Sequence, residues 1–236
     1  MSKKLINTSF LWFIYAALSF PAFYFVFKFG DPNFGTNDFF SYYKLYENWD
    51  IAKVDAPFNM RLVSSFFVYL FNKLGFHYNT EIAFNQTGVN KQVLFNAILF
   101  NYLCVVSTCV VIYQTLQKHI KDTLLSFFGG ALYLLGFGTL FYELMPITDA
   151  LSVLLFAVTF YYYQDKSYWI LLPLIVLVIQ REYVFMALAV MAIIDFIVQK
   201  DKFYVITIVA CLICFVTYLV LRKTLFYTPK LGSPNL

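Results

Sequence analysis

Charge is scarce in this sequence. Lysine, arginine, aspartate and glutamate make up 13% of its 236 residues, about half of what a soluble domain carries. A chain this poor in charge could not cover its surface in water, which excludes a soluble globular domain. The charge that is present nearly balances, 17 basic against 13 acidic residues for a net +4. No basic stripe points to nucleic acid. Histidine is rarer still: His77 and His119 stand alone, with no His-x-x-x-His pair, so no metal centre is indicated and no cofactor is expected, a divalent ion being possible but unsupported. A nucleophile elbow and a phosphate-binding glycine loop are also missing. Of the four cysteines, Cys104, Cys109, Cys211 and Cys214, the last two have a redox or zinc spacing. All four lie in apolar runs without neighbouring histidine or acid, and read as small apolar fillers. Glycine is thin as well. Gly129-Gly130 and Gly136-x-Gly138 fall in one apolar run and are expected to let transmembrane helices pack closely.

What the chain has instead is apolar length. Hydrophobic residues make up 61%, and uncharged apolar runs cover 5–27, 92–117, 123–142 and 203–221. A helix needs about 20 residues to span hydrocarbon. The expected class is an all-α polytopic membrane bundle, forming one membrane domain over 1–236. Seven spans are expected, over about 6–28, 92–117, 123–143, 147–164, 167–181, 183–199 and 203–221, followed by a tail from 222 to 236. The apolar segment after Met-Ser-Lys-Lys ends in Phe-Lys-Phe-Gly-Asp and reads as a retained first helix, not a cleaved signal.

The long polar stretch is 30–91. Within it, 62–72 is apolar for eleven residues, with Leu62, Phe66, Tyr69 and Leu70 on one helical face. That suits an interfacial or re-entrant helix better than a span. The choice sets the orientation of everything downstream. With no span at 62–72 and a cytoplasmic N-terminus, Lys3, Lys4, Lys118, Lys121, Lys166, Lys200 and Lys202 all fall inside, as the positive-inside rule favours. The basic tail residues Arg222, Lys223 and Lys230 fall outside and weigh mildly against it.

On this topology the polar chemistry gathers at the outer face: loop 30–91, the turn from Tyr142 and Glu143 to Asp149, and the turn at Arg181-Glu182. The uncharged runs 150–164 and 167–180 are short for a span, which draws Asp149 and Arg181 below the surface. Charges at that depth pair or line a wet cavity. An Asp149–Arg181 contact is therefore expected, either as a structural ion pair or as one wall of a site. Asp38, with Tyr42 and Leu45 on the same side of a helix, is placed to act as a general base or as a helix cap. Arg61, at the start of the short helix, suits a phosphate or a lipid headgroup.

The order of these features resembles the glycosyltransferase C superfamily, membrane enzymes that use polyprenyl-phosphate sugars. The match lies in Asn37-Asp38-Phe39-Phe40-Ser41-Tyr42-Tyr43 just after the first helix. In addition, Ala56-Pro57-Phe58-Asn59-Met60-Arg61-Leu62-Val63 resembles a Pro-Phe-x-x-Arg-x-Leu signature of related bacterial multi-span proteins, with Thr148-Asp149-Ala150-Leu151 and Gln180-Arg181-Glu182 at matching places. The resemblance implies inverting transfer from a polyprenyl-phosphate donor to a glycan, lipid or protein acceptor at the outer face of the plasma membrane. Asp38 would be the base, and Arg61 and Arg181 would hold the donor phosphate. Asp149, Glu182, Tyr42 and Glu143 would order the site or bind sugar hydroxyls. The chain departs from the pattern in pairing Asp38 with Asn37 instead of a second acid, in placing Tyr183 after Arg181-Glu182, and in its shortness. Two other readings stay open: a non-enzymatic carrier or flippase for a lipid-linked glycan, and a structural subunit of a membrane assembly.

Overall fold

A computed structural model describes residues 3–29, 38–54, 58–75, 90–140 and 145–225. Every regular element among them is helical. They are α1 (Lys3–Phe29), α2 (Asp38–Asn48), α3 (Leu62–Lys73), α4 (Lys91–Ile120), α5 (Thr123–Leu135), α6 (Asp149–Gln164), α7 (Leu171–Leu177), α8 (Tyr183–Gln199) and α9 (Lys202–Thr224). Three segments are long and apolar enough to cross a membrane: Thr8–Val26, Lys91–Ile120 and Lys202–Thr224. Thr123–Leu135, Tyr168–Leu177 and Tyr183–Gln199 are apolar but shorter. Phe10, Phe13 and Phe25 on α1, and Val209, Leu212, Ile213 and Val216 on α9, are fully or largely exposed. Outward apolar surface on this scale fits a lipid surround and not water.

Local chemistry sets the helix ends. Three tight turns lie at one end of the molecule, and each contains a lysine in the left-handed region: Lys121 (φ 56°), Lys166 (φ 48°) and Lys200 (φ 51°). The next residue then opens the following segment. Asp122 accepts from Leu124 N and Leu125 N at 2.8 and 2.9 Å, and Asp201 accepts from Phe203 N at 3.0 Å. Ser167 accepts from Trp169 N at 3.4 Å. The capping oxygens satisfy amides that a new helix leaves open, which helps to offset the left-handed lysines. The start of α1 also belongs to this end, because Gln114 near the end of α4 donates to Thr8 at 3.4 Å. Helices α1, α4, α5, α6, α7, α8 and α9 thus run alternately between this lysine end and an opposite end that carries α2 and α3.

Two apolar cores form. One joins α1, α2, α3, α4, α5 and the start of α6; the other joins the end of α6 with α7, α8 and α9, and takes in Met60. Gly130 belongs to a close approach in the first core. A Cβ there would lie 2.4 Å from Tyr15 Oη and 3.0 Å from the Cys109 carbonyl. The close-packing reading of Gly129-Gly130 therefore fits the structure at Gly130, whereas Gly129 meets only the flexible end of Leu116.

Three expectations need correction. The run 123–143 is not one helix: α5 ends at Leu135 and Gly136 is extended (φ −63°, ψ 137°). Gly136 therefore terminates a helix, and a Cβ at Gly138 would meet nothing within 4 Å among the described residues, so neither glycine marks a close helix approach there. The run 167–181 is broken into a 3-10 turn (Tyr168–Ile170), the seven-residue α7 and an irregular turn before Arg181. Pro173 does not cause the break, since it sits in the first turn of α7, where a missing N–H has no helical partner to lose. The run 147–164 becomes helical only from Asp149. By contrast 62–72 is helical nearly as expected; Leu62–Lys73 buries Ser64, Ser65 and Val68 and exposes Phe66. At 12 residues it extends about 18 Å, too short to cross hydrocarbon.

Candidate anion site at the α3–α6–α8 junction

The site forms where three chain segments meet at the end opposite the lysine turns. They are the start of α3, the start of α6, and the turn between α7 and α8. A single buried side chain, Gln180, joins them. Its Nε2 lies 2.6 Å from Ser64 Oγ, 2.9 Å from the Thr148 carbonyl and 3.2 Å from Ser152 Oγ. Its Oε1 accepts from Ser64 N at 3.1 Å. The Ile179 carbonyl accepts from Leu62 N at 3.0 Å. The α7–α8 turn thereby caps α3, whose own N-cap residue, Arg61, makes no side-chain cap. The unwinding after α7 has a physical cause in these contacts, because the turn's polar groups serve α3.

Each of the three segments carries an ionic residue next to this hub. Arg61 lies three residues before Ser64, Asp149 follows Thr148, and Arg181 follows Gln180. The expected Asp149–Arg181 ion pair is present, from Arg181 Nη2 to Asp149 Oδ1. Arg61 Nη1 donates to the Tyr42 hydroxyl, and its guanidinium lies 5.7 Å from the Tyr42 ring centre and 5.8 Å from that of Phe58. Arg181 lies 5.9 Å from the Tyr183 ring centre. The charge of Arg61 is felt at Arg181. Burial pushes the Tyr42 phenol above its ordinary range, although Arg61 beside it pulls the other way. Tyr42 therefore stays neutral and does not balance Arg61.

Of the two arginines, Arg181 is paired with Asp149, whereas Arg61 makes no ion pair among the described residues. Among the described residues, Arg61 Nε and Arg181 Nε are buried without a hydrogen-bond partner. A guanidinium N–H can only donate, so leaving it open is costly unless something accepts from it. Asn59 Oδ1 is also unpartnered nearby, but as an acceptor it calls for a donor and not an anion.

Asp38 opens α2 one helical turn before Tyr42, on the same side. Its side chain is half-exposed and makes no ion pair or hydrogen bond among the described residues. A carboxylate in the first turn also suits the helix dipole. Glu182 bears on the charge of Arg181 without forming an ion pair with it, and its side chain reaches Tyr218 near the end of α9. Glu143 lies outside the described residues, as do Asn37, Ala56 and Pro57.

Sequence reasoning missed several members of the site. Gln180 was visible only as the neighbour of Arg181, and Ser64, Thr148 and Ser152 carried no signal of their own. Asn101, in an apolar run, did carry one, because a buried amide needs partners. Its Nδ2 donates to the Ile147 carbonyl at 2.7 Å and also to that of Met145. Tyr46 adds a bond to the Pro146 carbonyl at 3.3 Å. These contacts fix the chain that leads into Asp149.

No protein family, curated protein or solved structure matches this chain.

Proposed function

We propose that the protein is a membrane glycosyltransferase that moves a sugar from a polyprenyl phosphate to an acceptor hydroxyl with inversion. The seven alternating segments would cross the plasma membrane with the N-terminus in the cytoplasm and the arginine site at the outer face. The observation that carries this reading is the part-buried Arg61 and Arg181, with Arg61 making no ion pair among the described residues and both Nε–H groups open. Guanidinium groups held on aromatic faces are suited to phosphate, which accepts parallel hydrogen bonds from them.

In the reaction, the Asp38 carboxylate takes the proton of the acceptor hydroxyl, whose oxygen attacks the anomeric carbon. The bond from that carbon to the phosphate oxygen breaks, and polyprenyl phosphate leaves with the electron pair. Arg61 and Arg181 stabilise the charge gained by the leaving phosphate, where preorganised donors act most strongly. Tyr42 and Asp149 hold the two guanidinium groups in place. The supporting geometry is the position of Asp38, one turn from Tyr42 with its carboxylate unengaged.

The test is transfer from radiolabelled polyprenyl-phosphate hexose and pentose donors by the purified protein in proteoliposomes. Asp38→Asn should lower turnover about 10²–10⁴-fold with insertion and folding retained. Undiminished turnover by that variant would remove Asp38 from the chemistry. A second reading, a carrier for the same lipid, draws on the broken segment at α7, since discontinuous helices frame the binding sites of many transporters. Movement of labelled lipid between leaflets without a new glycosidic bond would select it.

A further inference from the structure

The lysine end has its own charge pattern. Its three turns bring together Lys118, Lys121, Lys166, Lys200 and Lys202 with Asp122, Asp165 and Asp201. Two ion pairs cross the face: Lys118 to Asp165, and Lys166 to Asp201 at 2.7 Å. Lys118 also lies 3.1 Å from the Tyr161 ring centre, and Lys166 lies 5.2 Å from that of Tyr204. The central turn, at 165–167, is therefore tied on one side to α4 and on the other to α9. The third acid, Asp122, is engaged in capping α5.

The lysines left over are Lys121, Lys200 and Lys202, all exposed. They belong to the α4–α5 and α8–α9 turns, the two flanks of this face, while its centre is neutralised. Two exposed aromatic residues follow the central turn, Tyr168 and Trp169 at 57% and 64%, with the Tyr168 ring 5.9 Å from that of Phe203, next to Lys202. A soluble acidic partner would meet the neutral centre first. Headgroups meet the flanks, where these lysines are unpaired among the described residues, and the exposed aromatic rings of this end suit the interface.

We infer that this end docks on the phosphates of anionic phospholipids through Lys121, Lys200 and Lys202. The inference rests on the membrane-crossing reading but not on glycosyl transfer. Lys118 and Lys166 take no part, because they are spent on the bundle's own acids and rings.

The test uses electron paramagnetic resonance of doxyl-labelled phosphatidylglycerol and doxyl-labelled phosphatidylcholine in phosphatidylcholine vesicles containing the full chain. Immobilisation of the phosphatidylcholine label alone reports that the protein is in the bilayer, so failure of that reading shows separately. The wild type should hold phosphatidylglycerol over phosphatidylcholine by about twofold or more across the shell. The preference should fade in 1 M salt, where the screening length is about 3 Å. The variant Lys121→Asn, Lys200→Asn, Lys202→Gln should bring the ratio to about one; asparagine is chosen because it tolerates the left-handed backbone. A charge swap, Lys118→Asp with Asp165→Lys, should leave the preference unchanged. Equal immobilisation of both lipids by the wild type, or a preference that survives the triple variant, would overturn the inference. So would its loss in the charge swap.

Discussion

Replacing Gln180 by leucine tests the junction most directly. The substitution roughly conserves volume and removes every polar contact of the amide. Ser152 Oγ still reaches the Thr148 carbonyl at 3.2 Å and Ser64 Oγ reaches it at 3.4 Å, so that acceptor stays satisfied. The amide N–H of Ser64 does not, because Gln180 Oε1 accepts its hydrogen bond in the native fold. An orphaned buried N–H costs about 1–3 kcal/mol and the lost bonds of the amide's two N–H groups about 1 kcal/mol each, for a total of roughly 3–5 kcal/mol. For a chain of this size that lowers the melting temperature by about 6–20 °C. The assay is thermal unfolding in mild detergent at one fixed heating rate, since membrane proteins often unfold irreversibly. Ser152→Ala, which removes one partner of the amide, should shift the transition much less. A Gln180→Leu variant within about 2 °C of the wild type would refute the idea that this side chain joins the three segments.

Further outcomes follow from the same contacts. Gly130→Ala should destabilise by about 1–3 kcal/mol or more, because the added methyl meets Tyr15 and a backbone carbonyl, whereas Gly138→Ala should be neutral to slightly stabilising; parallel unfolding scans separate them. Asp149→Asn leaves Arg181 without its carboxylate and should cost about 1–3 kcal/mol, less than a fully buried pair would because the Asp149 side chain is 31% exposed. Much of that loss should return in Asp149→Asn with Arg181→Met, measured in the same scan. Tyr42→Phe keeps the ring beneath Arg61 but removes its acceptor, and should weaken donor binding, read as a raised KM, more than it lowers melting temperature.

How much of this was legible depended on the range of the interaction. Apolar run length predicted a helical membrane bundle, because hydrocarbon thickness acts on consecutive residues. The Asp149–Arg181 pair was legible for the same reason: two short runs place both charges at one depth. Helix breaks were not. The turn after α7 unwinds because Ile179 and Gln180 cap α3, more than a hundred residues away, and nothing local to 178–180 announces it. Gly136 and Gly138 show the converse error. Glycines within an apolar run resemble packing positions, yet one ends a helix and the other meets no described residue within 4 Å. Asp195 went unremarked inside an apolar run, although a carboxylate there needs a partner; it accepts from the Tyr163 hydroxyl at 2.5 Å.

The contrast between the two ends separates anchoring from binding. At the lysine end, cations sit on turns, in water's reach, and those that are paired meet acids on neighbouring helices. A flexible ammonium on an exposed turn is readily hydrated and suits diffuse attraction to a charged surface. At the junction of α3, α6 and α8 the two cations are arginines, held against aromatic rings, with the Nε of each buried and open. A guanidinium cannot shed its proton to relieve such burial, so the fold must either supply an acid or leave a place for an anion. It pairs Arg181 with Asp149 and leaves Arg61 with no ion pair among the described residues. Arg61→Met offers the decisive comparison: if the pair is only structural, removing the uncompensated charge should stabilise the protein. If the pair holds a phosphate, the same variant should gain stability in the absence of lipid while losing the stabilisation that added polyprenyl phosphate confers on the wild type.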